Sequence, residues 1–328
     1  MPPLLRRIRA PLLFAIKLVL SGLLLWYVLT KVDAHGIVAR LHGVELRWVI
    51  PAMLMGPVVV VLSAARWRIL SLGLLDLGET VRYTWVGLFF GSIMPGIIGG
   101  DVAKGVSLAA KESRARDARL PVSIVADKLV GFWVLLLQFN LVAVILLALQ
   151  PQLLTGMRSA LWITTGATIA GLVAAAALCH PRGAAWFSTT AHRLPAARLR
   201  DGAARGMAAV GFYQGRGNVL LQAALISFAI HLINAFALWM VLRSLAIPAS
   251  FWFAAVFYPL LSVVLALPVS ISGVGVRDVF AASMFTAFSL NPESGVAFSW
   301  LLLGLSIPNA LIGGLVQLWE MFRRRTPG

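Results

Sequence analysis

Pro95-Gly96-Ile97-Ile98-Gly99-Gly100-Asp101-Val102-Ala103-Lys104 is a turn-forming, charged break inside an apolar sequence. The apolar runs on either side, Tyr83 to Met94 and Val102 to Ala110, both fall short of the roughly 20 residues that a spanning helix needs. The charged tract Lys111-Glu112-Ser113-Arg114-Ala115-Arg116-Asp117 then closes the second run. The simplest object is a re-entrant hairpin. Its tip exposes backbone that lipid cannot satisfy, and such backbone persists at membrane depth only where protein buries it or water reaches it.

Composition names the solvent. Of 328 residues, 60% are hydrophobic and 12% charged. Mean hydropathy is +0.89, which excludes a soluble domain of this length. The formal charge of +16 does not point to nucleic acid, because the basic residues punctuate apolar spans instead of forming one patch with interleaved aromatics. A single cysteine, Cys179, excludes an internal disulfide and a multi-cysteine zinc site.

Arg6, Arg7 and Arg9 precede an apolar run from Leu12 to Thr30, read as a membrane anchor because it is long for a signal sequence and no small-residue cleavage site follows it. Ile37, Val38, Leu41 and Val44 give the next connector an apolar face suited to the interface. Further spans are expected from Trp48 to about Ala65, closed by Arg66 and Arg68 at the boundary, and from Pro121 to Leu149, with the adjacent Asp127 and Lys128 read as an interfacial pair. Leu161 to Leu178 carries small residues for close packing, and Val219 to Leu242 holds His231 and Asn234, read as a helix-helix contact. A second break, Pro268-Val269-Ser270-Ile271-Ser272-Gly273-Val274-Gly275-Val276-Arg277-Asp278, follows Phe251 to Leu267, and the last span runs to about Trp319.

Counting lysine and arginine by loop orients this map, since cytoplasmic connectors carry the excess. With the N-terminus inside, only Lys31, Arg40, Arg47, Arg158 and Arg243 fall outside, while Lys17 and Arg277 are intramembrane. The stretch 180–217 then becomes a basic cytoplasmic connector, rich in arginine against the lone Asp201, and both termini are cytoplasmic. Each half reads span, span, hairpin, span, so the second half is inverted relative to the first. The expected fold is an all-α polytopic membrane protein, one integral domain over 1–328, with about six full spans and two re-entrant hairpins. The inverted-topology repeats cover 1–150 and 158–319. Interrupted segments at matching positions are the sequence sign of a transporter's midplane site.

Each break is followed by a helix start, whose free N–H groups suit an anion, with Lys104 or Arg277 as counter-charge. Asp101 and Asp278 either cap these helices, pair with Lys104 and Arg277, or carry protons. The candidate substrate-binding residues are Pro95, Gly99, Gly100, Asp101, Lys104, Asp127, Lys128, Ser272, Gly273, Gly275, Arg277 and Asp278. No catalytic residue, metal ligand or cofactor is read from the sequence.

At the two breaks, and at Ser123-Ile124-Val125-Ala126-Asp127-Lys128-Leu129 where an acidic-basic pair is expected, the chain resembles the lysylphosphatidylglycerol synthase transmembrane region family. The resemblance covers essentially the whole chain. Lys104 stands where that family frequently has arginine, and Asp278 where glutamate is usual. The resemblance implies an inner-membrane lipid flippase, without the soluble transferase domain that follows the membrane part in the aminoacyl-phospholipid synthases. The implied substrate is a lipid with an anionic headgroup: an aminoacyl-phospholipid, a polyprenyl-phosphate glycolipid or a hopanoid-type lipid. A homodimer and a lipid-biosynthesis enzyme are the partners to test for. The alternatives are a membrane-embedded enzyme acting on lipid headgroups, with Asp101, Asp127 or Asp278 as base, and a non-transporting partner of an envelope-biosynthesis complex.

Overall fold

The computed structural model describes residues 19–27, 30, 34–93, 100–101, 104–105, 119–149, 158–179, 211–266 and 273–325. Helix α1 is the stretch 19–27. It is followed by α2 (Ala34–His42), α3 (Leu46–Leu70), α4 (Leu77–Ile93), α5 (Arg119–Leu149), α6 (Arg158–Cys179), α7 (Gly217–Ser244), α8 (Phe251–Ala266), α9 (Val276–Ala287) and α10 (Pro292–Arg325). No strand occurs among the described residues. Helices α3, α5, α7 and α10 are long and apolar enough to cross a membrane. The pattern of burial is inverted relative to a water-soluble protein: Trp162 and Ile163 are 78% and 71% exposed, whereas Arg66, Asp127, Arg277 and Asp278 are buried. Lipid in place of water removes the drive to hide leucine and makes an unpaired charge the thing to hide.

Local chemistry sets the helix boundaries. Asp76 Oδ1 accepts the Glu79 N–H at 2.7 Å and Glu79 Oε2 accepts the Asp76 N–H at 3.3 Å, a reciprocal cap that starts α4. The end of α7 closes with Ala246 in the left-handed region (φ 52°) and its neighbour Ile247 donating back to the Leu242 carbonyl at 3.0 Å. Pro51 and Pro57 sit within α3 and Pro308 within α10, as membrane helices tolerate. Both α3 and α10 run beyond the expected ends, to Leu70 and Arg325, so Arg66 lies inside a helix and not at its boundary.

The chain packs as two compact units, Met1–Val60 with Arg82–Ser107 and Leu232–Gly328, and Val61–Val81 with Leu108–His231. Compactness and internal symmetry partition a chain in different ways, so these units are not the sequence repeats. In the first unit, α9 lies against α10 and α8. Phe253, Phe257, Phe285 and Phe298 form its aromatic core, with the Phe253 and Phe285 rings edge-on at 5.4 Å. In α2, expected at the interface, Ile37 is buried in a cluster with Val296 and Ala297, against which Val279 and Ala282 pack, while Val38 is exposed.

In the second unit α5 packs on α6. Trp133 lies against Gly171, where a Cβ would come within 2.7 Å of the indole, and its Nε1 donates to the Thr168 carbonyl at 3.3 Å. Asn140 Nδ2 donates to Thr168 Oγ1 at 3.0 Å and Asn140 Oδ1 accepts from Thr165 Oγ1 at 2.6 Å, the polar glue of helices in lipid. His231 Nε2 meets the Gly131 carbonyl at 2.9 Å, the satisfied helix-helix contact read from the sequence.

Close helix packing in the first unit gives a signed prediction. A Cβ on Gly313 would strike the Trp85 carbonyl and lie 3.0 Å from Phe89 Cβ, while one on Gly166 in α6 would meet nothing within 4 Å. Alanine in a helix is favoured over glycine by roughly 1 kcal/mol, but overpacking against backbone costs about 1–3 kcal/mol. Gly313→Ala therefore lowers the thermal midpoint in detergent and Gly166→Ala leaves it level or raises it. Equal shifts would show that Gly313 is not a packing notch.

Candidate functional site

The described part of the first break is Gly100, Asp101 and Lys104; Pro95 and Gly99 lie outside the described residues. A Cβ on Gly87 would come within 2.9 Å of Lys104 Cε and 3.2 Å of the Gly100 carbonyl oxygen, and one on Gly91 would lie 3.8 Å from Gly100 Cα. Residues nearer the break thus meet near the tip and residues further from it meet further down. The chain folds back antiparallel on α4. Only backbone without side chains on α4 permits this approach. Lys104 Nζ stands 3.8 Å from Asp101 Oδ1, a loose pair with both side chains largely buried.

The second break also folds back. Gly273 packs on Leu265 of α8, and further from the tip Phe257 meets Phe280 and Phe253 meets Phe288. Ser272 lies outside the described residues. Gly273 and Gly275 have φ of 76° and 81°, open only to glycine without strain, and a Cβ on Gly275 would meet Leu24 Cβ at 2.7 Å and the Ser21 carbonyl at 2.8 Å in α1. These turns launch α9, whose first bonds run from the Arg277 N–H to the Gly273 carbonyl and from the Val279 N–H to the Gly275 carbonyl.

Arg277 and Asp278 are buried at this helix start, with Ser299 of α10 between them. Asp278 Oδ2 accepts the Gly275 N–H at 3.0 Å, and Asp278 Oδ1 accepts the Ser299 hydroxyl at 2.5 Å. Ser299 Oγ in turn accepts from Arg277 Nε at 2.8 Å. Of the roles left open for the two aspartates, Asp278 takes the cap and Asp101 the lysine pair. Among the described residues Arg277 makes no direct ion pair with Asp278 or Asp101.

Asp127 and Lys128 belong to the second unit and part company there. Asp127 is not held by its neighbour: Arg66 Nε and Nη2 approach its two carboxylate oxygens at 2.7 and 3.1 Å. Arg66 Nη1 donates to Ser227 Oγ at 2.9 Å, against Gly131, where a Cβ would come within 2.9 Å of that nitrogen. Lys128 is exposed. Asp127, expected to pair at the interface with Lys128, is thus held in a buried bidentate pair, because α3 continues past Arg66 to Leu70 and buries that side chain. Around it, Trp67 Nε1 donates to Ser123 Oγ at 3.0 Å and the Tyr213 hydroxyl donates to the Leu70 carbonyl at 2.6 Å. Burial, then the Asp127 charge, push that hydroxyl up to about 12 and keep its proton in place.

Ser299 and Arg66 were not among the residues singled out in the sequence. The signal available for Arg66 was an arginine directly after an apolar run with Ile69 and Leu70 continuing it; nothing local marks Ser299 among the serines of α10. Among the described residues no three His, Cys, Asp or Glu side chains converge as a metal would need.

Helices that expose leucine and bury arginine and aspartate, interrupted by glycine turns with charge behind them, define a polytopic membrane protein with a charged interior. The chain belongs to the family described as the lysylphosphatidylglycerol synthase TM region, whose model matches residues 14–313. That description places it among membrane proteins that act on lipids. No curated protein and no solved structure matches the chain.

Proposed function

We propose that this protein is a transporter, not an enzyme, and moves a phosphate-bearing lipid between the leaflets of the inner membrane. The observation that carries the reading is Arg277: a buried arginine at a glycine-built helix start inside an apolar protein, hydrogen-bonded among the described residues only through Nε. A charge at membrane depth is costly and marks a substrate path. Family membership supports a lipid as that substrate.

Helix lengths support re-entrance at the breaks. At 1.5 Å per residue, α4 with 17 residues, α8 with 16 and α9 with 12 extend about 26, 24 and 18 Å, less than the roughly 30 Å of a hydrocarbon core. Folding back at both breaks fits two re-entrant hairpins, six full spans and inverted repeats over 1–150 and 158–319, with both termini and the 180–217 connector cytoplasmic. The headgroup phosphate would sit at the breaks while the tails stay in bilayer, and a second copy or a lipid-biosynthesis enzyme is the partner this role allows.

Reconstitution into liposomes with a headgroup-labelled phospholipid tests the function. Label becoming accessible from the opposite leaflet, with the lipid chemically unchanged, is the expected result. A modified lipid would establish the enzyme reading, and neither outcome in folded protein would leave the non-transporting role.

A further inference from the structure

Among the described residues, Arg66 and Arg277 are both buried with a buried aspartate nearby, and the two places differ in one respect. At Arg66 the side-on edge of the guanidinium, Nε with Nη2, is filled by Asp127 at 2.7 and 3.1 Å, and Nη1 is taken by Ser227. That pair is closed. At Arg277 the neighbouring Asp278 makes no such fork, because the Ser299 hydroxyl accepts from Nε at 2.8 Å and donates to Asp278 Oδ1 at 2.5 Å. The other carboxylate oxygen is held by the Gly275 N–H at 3.0 Å. Asp278 is therefore turned away from the guanidinium by two bonds, although the two residues are adjacent in sequence.

The consequence is geometric. A guanidinium has five N–H donors, and Ser299 consumes the one on Nε. Nη1 and Nη2 have no hydrogen-bond partner among the described residues, in a side chain that is 94% buried by a residue exposure of 6%. Two parallel N–H bonds from that end-on edge match two non-bridging oxygens of a phosphate. Asp278 already offsets the charge of Arg277, so each negative charge a ligand brings is left uncompensated there, which favours the single charge of a phosphodiester over the nearly two of a phosphomonoester at neutral pH.

Resting on the transporter reading above, we propose that Ser299 is the positioning residue of this site: its hydroxyl prevents Asp278 from capturing Arg277 and holds the end-on edge of the guanidinium open for the phosphodiester of a lipid headgroup. Ser299 touches no substrate in this scheme. It acts through Arg277. Without the hydroxyl, Arg277 and Asp278 are two opposite charges one residue apart in a medium of low dielectric, and their direct pairing competes with the ligand.

The experiment measures binding of short-chain phosphatidylglycerol to the full chain in detergent, with inorganic phosphate and phosphatidic acid as competitors. Ser299→Ala weakens phosphatidylglycerol binding on the order of tenfold, the loss of about one hydrogen bond's worth of competition. Adding Asp278→Asn to Ser299→Ala restores it, because the capturing charge is gone. A merely structural serine predicts the opposite, since the second change also weakens the cap of α9. Binding unchanged in folded Ser299→Ala overturns the proposal. So does Ser299→Ala protein that fails to fold and is not rescued by Asp278→Asn, which would make Ser299 a structural bond. Equal affinity for inorganic phosphate or phosphatidic acid overturns the diester assignment. Arg277→Gln serves as the separate arm: if it binds phosphatidylglycerol as well as the parent, the transporter site itself is elsewhere, whereas loss there with no effect of Ser299→Ala leaves the site standing and removes only the serine's role.

Discussion

On the transporter reading, Arg277→Gln is expected to abolish lipid translocation in liposomes while the protein remains folded and inserted. Glutamine keeps most of the length and one amide donor pair but no charge, so the phosphate loses both its counter-ion and its bidentate partner. Arg277→Lys retains part of the rate, because a point charge survives the loss of the fork. Arg277→Lys keeps the charge near the buried Asp278, whereas Arg277→Gln removes it and lowers the thermal midpoint somewhat, by less than at a closed pair because Arg277 makes no direct ion pair among the described residues and the Ser299 and Gly275 bonds to Asp278 persist. Transport rate and thermal midpoint measured side by side separate the outcomes. Full transport by Arg277→Gln at unchanged stability would remove Arg277 from the substrate path. A fall in stability matching the fall in transport would make it a structural charge.

The largest effect on stability is expected at the closed pair. Asp127→Asn leaves Arg66 buried with its counter-charge gone, and breaking a buried ion pair from one side costs about 3–5 kcal/mol. Arg66 and Asp127 are 8% and 5% exposed, so solvent does little to soften that cost. Replacing both, as Arg66→Met with Asp127→Leu, recovers most of the loss, since an apolar pair of similar volume carries no desolvation penalty. Lys128→Gln, one position along on an exposed site, shifts stability by less than about 0.5 kcal/mol. Thermal unfolding in a single detergent checks the four variants. If Asp127→Asn were as benign as Lys128→Gln, the bidentate geometry would contribute nothing and Arg66 would find solvent by another route.

The two arginines also show how differently charge is used within one apolar chain. Arg82 offers a third case: its Nε lies 2.6 Å from Glu320 Oε1 but the N–H is not directed at the carboxylate, so the pair is electrostatic without a hydrogen bond. Its guanidinium also stands 5.3 Å from the Tyr83 ring centroid. Removing Arg66 and Arg82 from the cytoplasmic loops leaves the basic excess of the remaining inner connectors over the outer ones in place, so the orientation proposed from the sequence does not depend on them.

The sequence by itself determined the solvent, the helical class, the family and the glycine turn that precedes α9. Those are local or summed properties. Lipid tolerates only backbone that pairs within its own segment, so a run of apolar residues must be helix, and a cluster such as Gly273-Val274-Gly275 is where the chain turns before a new helix starts. Even the satisfied role of His231 was legible, because a lone polar side chain in a span needs a neighbouring helix. What only the tertiary structure decided was the choice of partner. Asp127 is adjacent to Lys128, yet it pairs with Arg66, 61 positions away; Asp278 is adjacent to Arg277, yet Ser299, 21 positions from it, stands between them. Neighbours on a helix point about 100° apart, so sequence adjacency does not bring two charges face to face. Which side chains converge is set by the facing helices, and there a single hydroxyl separates a closed ion pair from an arginine left open.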